Sequence, residues 1–235
     1  AHRARLVQQR PFSSNNINIE KFIKKEIQMK KTKSVLLAIF GLSLVICGCS
    51  KTAAQKDYIL ATGGTSGTYY PFGGAIANIW NTKIENMNVT AQATGASAEN
   101  LRLINKGEAE YAIVQNDVMD YAYNGSDMFE GEKLANIATI GTLYPEVVQI
   151  AASKDSGIKS IADLRGKRVS IGDAGSGVEF NAKQILEGYG ITFDDIKKNN
   201  LSFKESAEGI QNGTLDACFV TAGVPNSALQ ELAFT

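Results

Sequence analysis

The sequence TGGTSGTYYPFGG at residues 62–74 decides the fold class, because it places a glycine-rich turn between a short apolar run and an amphipathic stretch. A second turn of this kind, GDAGSGVEF at residues 172–180, has similar neighbours. Glycine lets the backbone approach a ligand closely, hydroxyl groups donate hydrogen bonds, and the helix that follows directs free N–H groups to the same point. The two turns together predict an anion-binding cradle. The alternative, that each is only a tight βα turn, stays open.

Short apolar and β-branched runs alternate with longer amphipathic stretches through the rest of the chain. This alternation predicts βα repeats around mostly parallel sheets. Hydroxyls that stand three residues before a carboxylate predict helix starts at Ser160, Thr192 and Ser202, and residues 97–106 have the apolar spacing of a helix. The runs expected to be strands are 58–61, 87–93, 111–114, 137–140, 147–151, 168–171 and 215–220.

The charged residues are divided unevenly along the chain, although 24 Lys and Arg balance 24 Asp and Glu in its 235 residues. Residues 1–48 hold nine basic and two acidic side chains, which leaves 15 basic and 22 acidic side chains from Cys49 onward. This acidic excess disfavours nucleic acid as a partner, since phosphate groups are neutralised by clustered Lys and Arg. The only histidine is His2, so the rest of the chain has no imidazole for a catalytic triad or a zinc site.

Motifs for enzymatic chemistry are incomplete. Neither glycine-rich turn contains the G-x-x-x-x-G-K-[ST] pattern, and the glycines of the second turn have the dinucleotide spacing in the wrong order. Ser156 and Lys159 match S-x-x-K, but no S-D-N or K-T-G accompanies them. We therefore expect no enzyme, no cofactor and no metal site, with an exported hydrolase that uses Ser156 and Lys159 as the alternative.

Residues 29–48 have the pattern of a lipoprotein signal peptide. Lysines precede an apolar run, residues 35–46, that is shorter than the roughly 20 residues of a membrane-spanning helix. The run ends in ICGC at residues 46–49, which resembles a bacterial lipobox, so Cys49 is the expected lipidation site and residues 49–56 the expected tether. These features predict an extracytoplasmic, lipid-anchored protein, and an uncleaved or simply secreted leader is the alternative.

Two further expectations concern residues 1–28 and the thiol of Cys218. Residues 1–28 precede a serviceable start at Met29 and lack apolar periodicity, so we expect a non-native leader there. Once Cys47 is removed with the signal peptide and Cys49 carries lipid, Cys218 has no partner for an internal disulfide. Cys218 stands in the apolar run LDACFV and is expected to be a buried small hydrophobic residue.

Four ordered blocks cover nearly all of the sequence from residue 58 to residue 232. They are TGGTSGTYYPFGG at 62–74, TGASAENLRLINKGEAEYAIVQND at 94–117, LYPEVVQIAASKDSGIKSIADLRGKRVSIGDAGSG at 143–177 and VTAGVPNSALQEL at 220–232. In this order and length the blocks resemble the TAXI-type extracytoplasmic solute receptors of TRAP transporters.

The resemblance implies an α/β, periplasmic-binding-protein-like fold of type II, with two lobes around a ligand cleft. Lobe 1 is expected at residues 57–150 and lobe 2 at residues 151–235, with the C-terminal return to lobe 1 missing, so the fragment is expected to bind weakly or to be unstable. Such receptors bind a small anionic or zwitterionic solute, such as glutamate, glutamine or a dicarboxylate, and deliver it to membrane permease subunits. The alternative is a sensor of the same fold that is coupled to a signalling partner.

The resemblance also implies the ligand contacts, all at the carboxyl ends of expected strands, where α/β sheets place ligands. No arginine falls within these loops, so neutral donors and helix ends are expected to hold a solute carboxylate. The expected ligand-binding residues are Thr65, Ser66, Tyr69, Ser97, Gln115, Asn116, Ser176, Gly177, Thr221, Ala222 and Gly223.

Overall fold

The computed structural model describes residues 54–234 and, ahead of them, residues 21, 24–26 and 28, which are helical. The expected signal peptide, the expected lipidation site Cys49 and the tether up to residue 53 lie outside the described residues. Within the described residues, no helix combines the length and the apolar character that a bilayer crossing requires.

The first half of residues 54–234 folds into βα units around one sheet. Its elements are β1 (Lys56–Ala61), α1 (Tyr69–Lys83), β2 (Met87–Gln92), α2 (Ser97–Lys106), β3 (Tyr111–Ala112) and α3 (Asn116–Asn124). The strands are parallel and lie in the order β2-β1-β3. The loops that follow the three strands therefore meet at one edge of the sheet.

The second half folds around another sheet, in which one strand runs antiparallel. Its elements are β4 (Val147–Ala152), β5 (Arg168–Ser170), α4 (Gly177–Gly188), β6 (Lys197–Asn199), α5 (Phe203–Gln211), β7 (Ala217–Ala222) and α6 (Ser227–Ala233). The strand order is β4-β7-β5-β6, with β4 antiparallel to β7 and the other neighbours parallel. This matches the prediction of mostly parallel sheets.

Separate apolar clusters stabilise the two sheets. In the second sheet every residue of β7 is buried, and Phe219 belongs to one cluster with Leu186 of α4. In the first sheet Leu60 of β1 clusters with Ala77 of α1. A third cluster packs α2 against α3 around Phe129. Each sheet is thus covered by its own helices, as the βα pattern predicts.

The buried side chain of Asn100 fixes the loops at the carboxyl ends of the strands of the first sheet. Its Nδ2 donates to the carbonyl oxygen of Thr62 at 2.6 Å and to that of Ile113 at 2.9 Å, after β1 and β3. The Thr94 hydroxyl, after β2, donates to Asn100 Oδ1 at 2.6 Å. One amide therefore joins the ends of all three strands and pairs two buried carbonyl oxygens, as buried polar groups normally are.

The structure confirms six of the seven expected strands, with ends shifted by at most two residues. The expected strand at 137–140 is wrong. Ile137 is buried in the α2–α3 cluster, whereas Ile140 is 83% exposed. This segment therefore contacts the core through the Ile137 side chain and does not pair with a strand. The sequence does not predict β6, because its residues Lys-Lys-Asn lack the β-branched composition of a strand.

The lobe boundary expected at residue 150 falls inside β4, which pairs with β7 along its whole length. The second sheet therefore begins at Val147. The three expected helix starts, at Ser160, Thr192 and Ser202, are all capping boxes. Ser202 opens α5, while the other two open short 3-10 helices.

Replacing Asn100 by Leu tests its role in the fold. Asn100→Leu should lower the free energy of unfolding by roughly 2–4 kcal/mol, because two buried carbonyls and the Thr94 hydroxyl lose their partner. Asn105→Leu makes the same change at an exposed position of α2 and is the control, with an expected change within about 0.5 kcal/mol. Urea unfolding measures both, and equal effects would contradict the assigned role.

Candidate functional site

Polar side chains from both halves meet at the carboxyl ends of the strands. Gln115, after β3, donates from Nε2 to Asn181 Oδ1 of α4 at 2.8 Å. Thr221, near the end of β7, donates to the same oxygen at 3.0 Å, and Asn181 Nδ2 donates to Asp117 Oδ2 at 3.2 Å. These four residues are named the Asn181 network. Through them the ligand edges of the two sheets are hydrogen-bonded to each other.

Ser97 and Gly177 hold Gln115 in this position. Ser97 Oγ accepts a hydrogen bond from the backbone N–H of Gln115 at 3.0 Å. A Cβ atom on Gly177 would overlap Oε1 of Gln115, so any other first residue of α4 would displace the Gln115 amide from this position. Four of the expected ligand contacts, Ser97, Gln115, Gly177 and Thr221, therefore come together here.

A second group, named the Tyr–Glu cluster, consists of Tyr69, Phe72, Tyr144 and Glu146. Tyr69 Oη donates to Glu146 Oε2 at 2.7 Å. The ring centroid of Tyr144 lies 4.9 Å from that of Phe72 and 6.5 Å from that of Tyr69. A Cβ atom on Gly223, just after β7, would lie 3.3 Å from Tyr144 Cε2. The backbone of the second half therefore borders this cluster.

Burial changes the protonation behaviour of the Tyr–Glu cluster. It raises the pKa of Glu146 to about 7, and the charge of Asp117 acts in the same direction against the hydrogen bond from Tyr69. Burial also raises the pKa of the Tyr69 and Tyr144 hydroxyls, so both stay protonated at neutral pH. Glu146 is thus a carboxyl group that changes charge near neutral pH.

The Tyr144 hydroxyl is a buried polar atom without a hydrogen bond of standard geometry in the described part of the chain. The Thr68 side chain is close enough to oppose the rise of the Tyr144 pKa, but it does not reach that geometry. A buried hydroxyl is normally hydrogen-bonded. Tyr144 Oη therefore has unused capacity to donate and to accept.

The two glycine-rich turns reach different loops of the opposite half. In the first turn, the carbonyl oxygen of Ser66 accepts hydrogen bonds from Asn226 Nδ2 at 3.3 Å and from Ser227 Oγ at 3.1 Å. In the second turn, the carbonyl oxygen of Ala174 lies 3.6 Å from the position that a Cβ atom on Gly95 would take. Each turn therefore contacts the opposite half, and the two contacts lie at different loops.

The remaining expected contacts have local roles or face solvent. Ser176 caps α4, and its Oγ accepts from the backbone N–H of Glu179 at 3.1 Å. Ala222 is buried as the last residue of β7, while Thr65 and Asn116 are exposed. The contacts of the described residues do not join these four side chains to the Asn181 network or to the Tyr–Glu cluster.

Asn181 and Glu146 are candidate functional residues that the sequence analysis does not identify. Asn181 stands four residues after Gly177, so the two share one face of α4, and this spacing is a usable signal. Glu146 follows Pro145 in the segment that crosses between the sheets. The sequence feature that could have pointed to Glu146 is a carboxylate next to a proline in the segment that connects the two sheets.

The described residues contain no group of three His, Cys, Asp or Glu side chains that could hold a metal ion. Cys218 is a free and buried thiol, as the sequence predicts, and burial raises its pKa to about 12. A thiol with such a pKa is a poor nucleophile at neutral pH.

Comparison with known proteins identifies the family. A profile of the NMT1-like family matches residues 60–235, and the chain belongs to this family.

Solved structures with the same fold are solute-binding proteins. The alkanesulfonate-binding protein SsuA from Xanthomonas axonopodis pv. citri, bound to MOPS, superposes with a TM-score of 0.52 at 17% identity, over 72% of this chain and 55% of that one. An ABC uptake transporter substrate-binding protein from Streptococcus pneumoniae with bound histidine gives 0.50 at 13% identity, over 75% and 70%. The likeness confirms the expected periplasmic-binding-protein-like fold. The chain spans only 52–57% of the length of the sulfonate-binding proteins it matches.

Gly177→Ala tests the close approach of α4 to Gln115. The added Cβ atom must displace Gln115 from its hydrogen bond with Asn181, so the free energy of unfolding should fall by about 1–3 kcal/mol. Gly188→Ala at the other end of α4 is the matched control, because its Cβ atom meets open space. It should leave stability unchanged or raise it by up to about 1 kcal/mol. A Gly177→Ala protein as stable as Gly188→Ala would contradict the proposed contact.

Glu146→Gln tests the raised pKa. A carboxyl whose pKa is higher in the folded protein stabilises the fold below its ordinary pKa of 4.5, and this contribution is lost as the pH rises through about 7. Gln keeps an acceptor for Tyr69 and resembles the protonated acid. The melting temperature of ligand-free Glu146→Gln should therefore exceed that of the wild type at about pH 8 and approach it at about pH 5.

Glu130→Gln, at an exposed position, is the control for this experiment and should show no such pH dependence. Thermal unfolding monitored by circular dichroism gives the comparison. A Glu146→Gln protein that is less stable than the wild type at pH 8 would show that the ionised carboxylate stabilises the fold, against the assignment.

Proposed function

We propose that the protein is the solute-binding receptor of a membrane transporter and that it works outside the cytoplasm. The observation that carries this proposal is the Asn181 network, because it joins the strand ends of both sheets at the edge where α/β folds place ligands. The fold and the family support the same role.

Within this class we assign the protein to the TAXI-type receptors of TRAP transporters. The ordered sequence blocks at 62–74, 94–117, 143–177 and 220–232 support this assignment. The partner would then be the membrane permease subunits of such a transporter. A lipid on Cys49 would hold the receptor at the membrane surface, where it meets the permease.

The solute would act by shifting the protein between open and closed arrangements of its two lobes. In the structure, Gln115 and Thr221 both donate to Asn181, so the halves meet without leaving these polar groups unpaired. A solute that carries its own donors and acceptors can take over these bonds. Its affinity then comes from contacts that it makes only in the closed state, and the solute leaves chemically unchanged.

The solute would be small and anionic or zwitterionic, such as glutamate, glutamine or a dicarboxylate. The amide and hydroxyl groups of Gln115, Asn181 and Thr221 suit a carboxylate that is held by neutral donors, on the side of the Asn181 network away from Asp117.

A thermal-shift screen of the full-length mature protein tests the receptor function. Amino acids, short dicarboxylates and alkanesulfonates are the probes, and a true ligand at about 100 times its dissociation constant should stabilise the fold by about 2.7 kcal/mol. Thr221→Val removes the hydroxyl that contacts Asn181 and should weaken binding by about 2- to 10-fold. Thr90→Val, exposed on β2, is the control. No stabilisation by any probe would contradict the receptor function.

A further inference from the structure

We propose that the solute carries a positively charged amino group and that this group binds at the Tyr–Glu cluster of Tyr69, Phe72, Tyr144 and Glu146. The inference rests on the proposed receptor function. It narrows the solute class to zwitterions and cations and assigns one end of the solute to a named set of residues.

The first argument is the incomplete pairing of Glu146. Its Oε2 accepts the hydrogen bond from Tyr69 at 2.7 Å, whereas Oε1 reaches solvent and accepts no hydrogen bond from residues 54–234. Its side chain is partly buried, and burial disfavours a carboxylate that is not fully paired. An ammonium group would supply the hydrogen-bond donor and the opposite charge that this oxygen lacks.

The second argument is the sign of the surrounding charge. Asp117, the charged group that acts on Glu146, is another carboxylate. The three arginines of residues 54–234 pair elsewhere, as Arg102–Glu132, Arg165–Asp195 and Arg168–Asp216, and no lysine is among the groups that act on Glu146. The cluster is therefore a negative region that side chains of the described residues do not neutralise.

The third argument is the arrangement of aromatic rings beside the carboxylate. The rings of Tyr69 and Phe72 both pack against Tyr144, with centroids 6.5 Å and 4.9 Å away. Faces of aromatic rings attract cations, and grouped rings bind alkylammonium ions. The free Tyr144 hydroxyl adds a buried acceptor for an N–H group. Phe72 is 43% exposed, so the cluster reaches solvent.

The fourth argument is the position of the cluster between the halves. Gly223 borders Tyr144 and Thr68, and Thr221 of the Asn181 network stands two residues earlier in the chain. Two residues of extended backbone span about 7 Å. The Asn181 network and the Tyr–Glu cluster can therefore contact opposite ends of one solute of amino-acid size, the first through neutral donors and the second through a carboxylate.

Matched pairs of solutes test the inference on the wild-type full chain. Isothermal titration would compare glutamate with glutarate, and each further amino acid found in the screen with its counterpart that has hydrogen in place of the amino group. We expect the amine-bearing member to bind at least about 10-fold more tightly, since the missing contact is a charge-assisted hydrogen bond. Equal or tighter binding of the amine-free members would overturn the inference and leave the receptor function standing.

Substitution of Glu146 supplies the second test. Glu146→Gln keeps the acceptor for Tyr69 and removes the charge, and it should weaken binding of the amine-bearing solute by about 10- to 100-fold. Glu130→Gln, at an exposed position, is the matched control and should bind as the wild type does. Unchanged affinity of Glu146→Gln would overturn the inference.

The pH dependence of binding gives a readout that a structural role of Glu146 would not produce. The groups that act on Glu146 are Tyr69 and Asp117, and the Tyr69 and Tyr144 hydroxyls stay protonated over this range. A cation binds the ionised carboxylate, so wild-type affinity should rise several-fold from about pH 6 to pH 8 as Glu146 loses its proton. Glu146→Gln should lose this rise, and a wild-type affinity that falls over the same range would overturn the inference.

Failure of all probes is distinguishable from these outcomes. If neither the amine-bearing nor the amine-free solutes bind, the receptor function itself is contradicted, and the inference falls with it. Binding of both series with equal affinity contradicts the inference alone.

Discussion

The amide of Asn181 is the contact on which the arrangement of the site depends. It accepts from Gln115 of the first half and from Thr221 of the second, and it donates to Asp117. A single amide group has the donors and acceptors to satisfy all three partners. Because each partner is anchored next to the end of a strand, this amide joins the strand ends of the two sheets. The glycine that begins α4 makes the meeting sterically possible.

Stability and the proposed recognition oppose each other at Glu146. The unfolded chain exposes this carboxyl to water, whereas the fold buries it and places the charge of Asp117 nearby, and both effects raise its pKa against the hydrogen bond from Tyr69. A purely structural position would favour Gln, which accepts the same hydrogen bond without the charge. An ionisable group kept at a position where it weakens the ligand-free fold is typical of a functional site.

The sequence predicts most strands and helix starts but only some residues of the candidate site. The reason is that strands and helix caps follow local patterns, whereas site contacts join residues that are distant in the chain. Strand runs such as 217–222 and capping boxes such as that at Ser202 are local patterns, and they appear in the structure close to where they are expected. The strand expected at 137–140 is wrong because Ile137 packs into the α2–α3 cluster and does not belong to a sheet. Gln115 and Thr221 were predictable, since both follow or end a strand. Asn181 and Glu146 gain their importance only from partners that are distant in the chain.

Under the proposed function, the two polar regions would select different charges, and this difference would orient the solute. Neutral donors around Asn181 accept a carboxylate without demanding a counter-ion, because amide and hydroxyl groups can reorient around it. The Tyr–Glu cluster favours positive charge and disfavours an anion, which would face the Glu146 carboxylate in a partly buried place with the charge of Asp117 nearby. A dicarboxylate would satisfy the first region and be repelled by the second. A zwitterion satisfies both when its carboxylate lies towards Thr221 and its amino group towards Glu146, and the reversed orientation would leave charges of the same sign side by side.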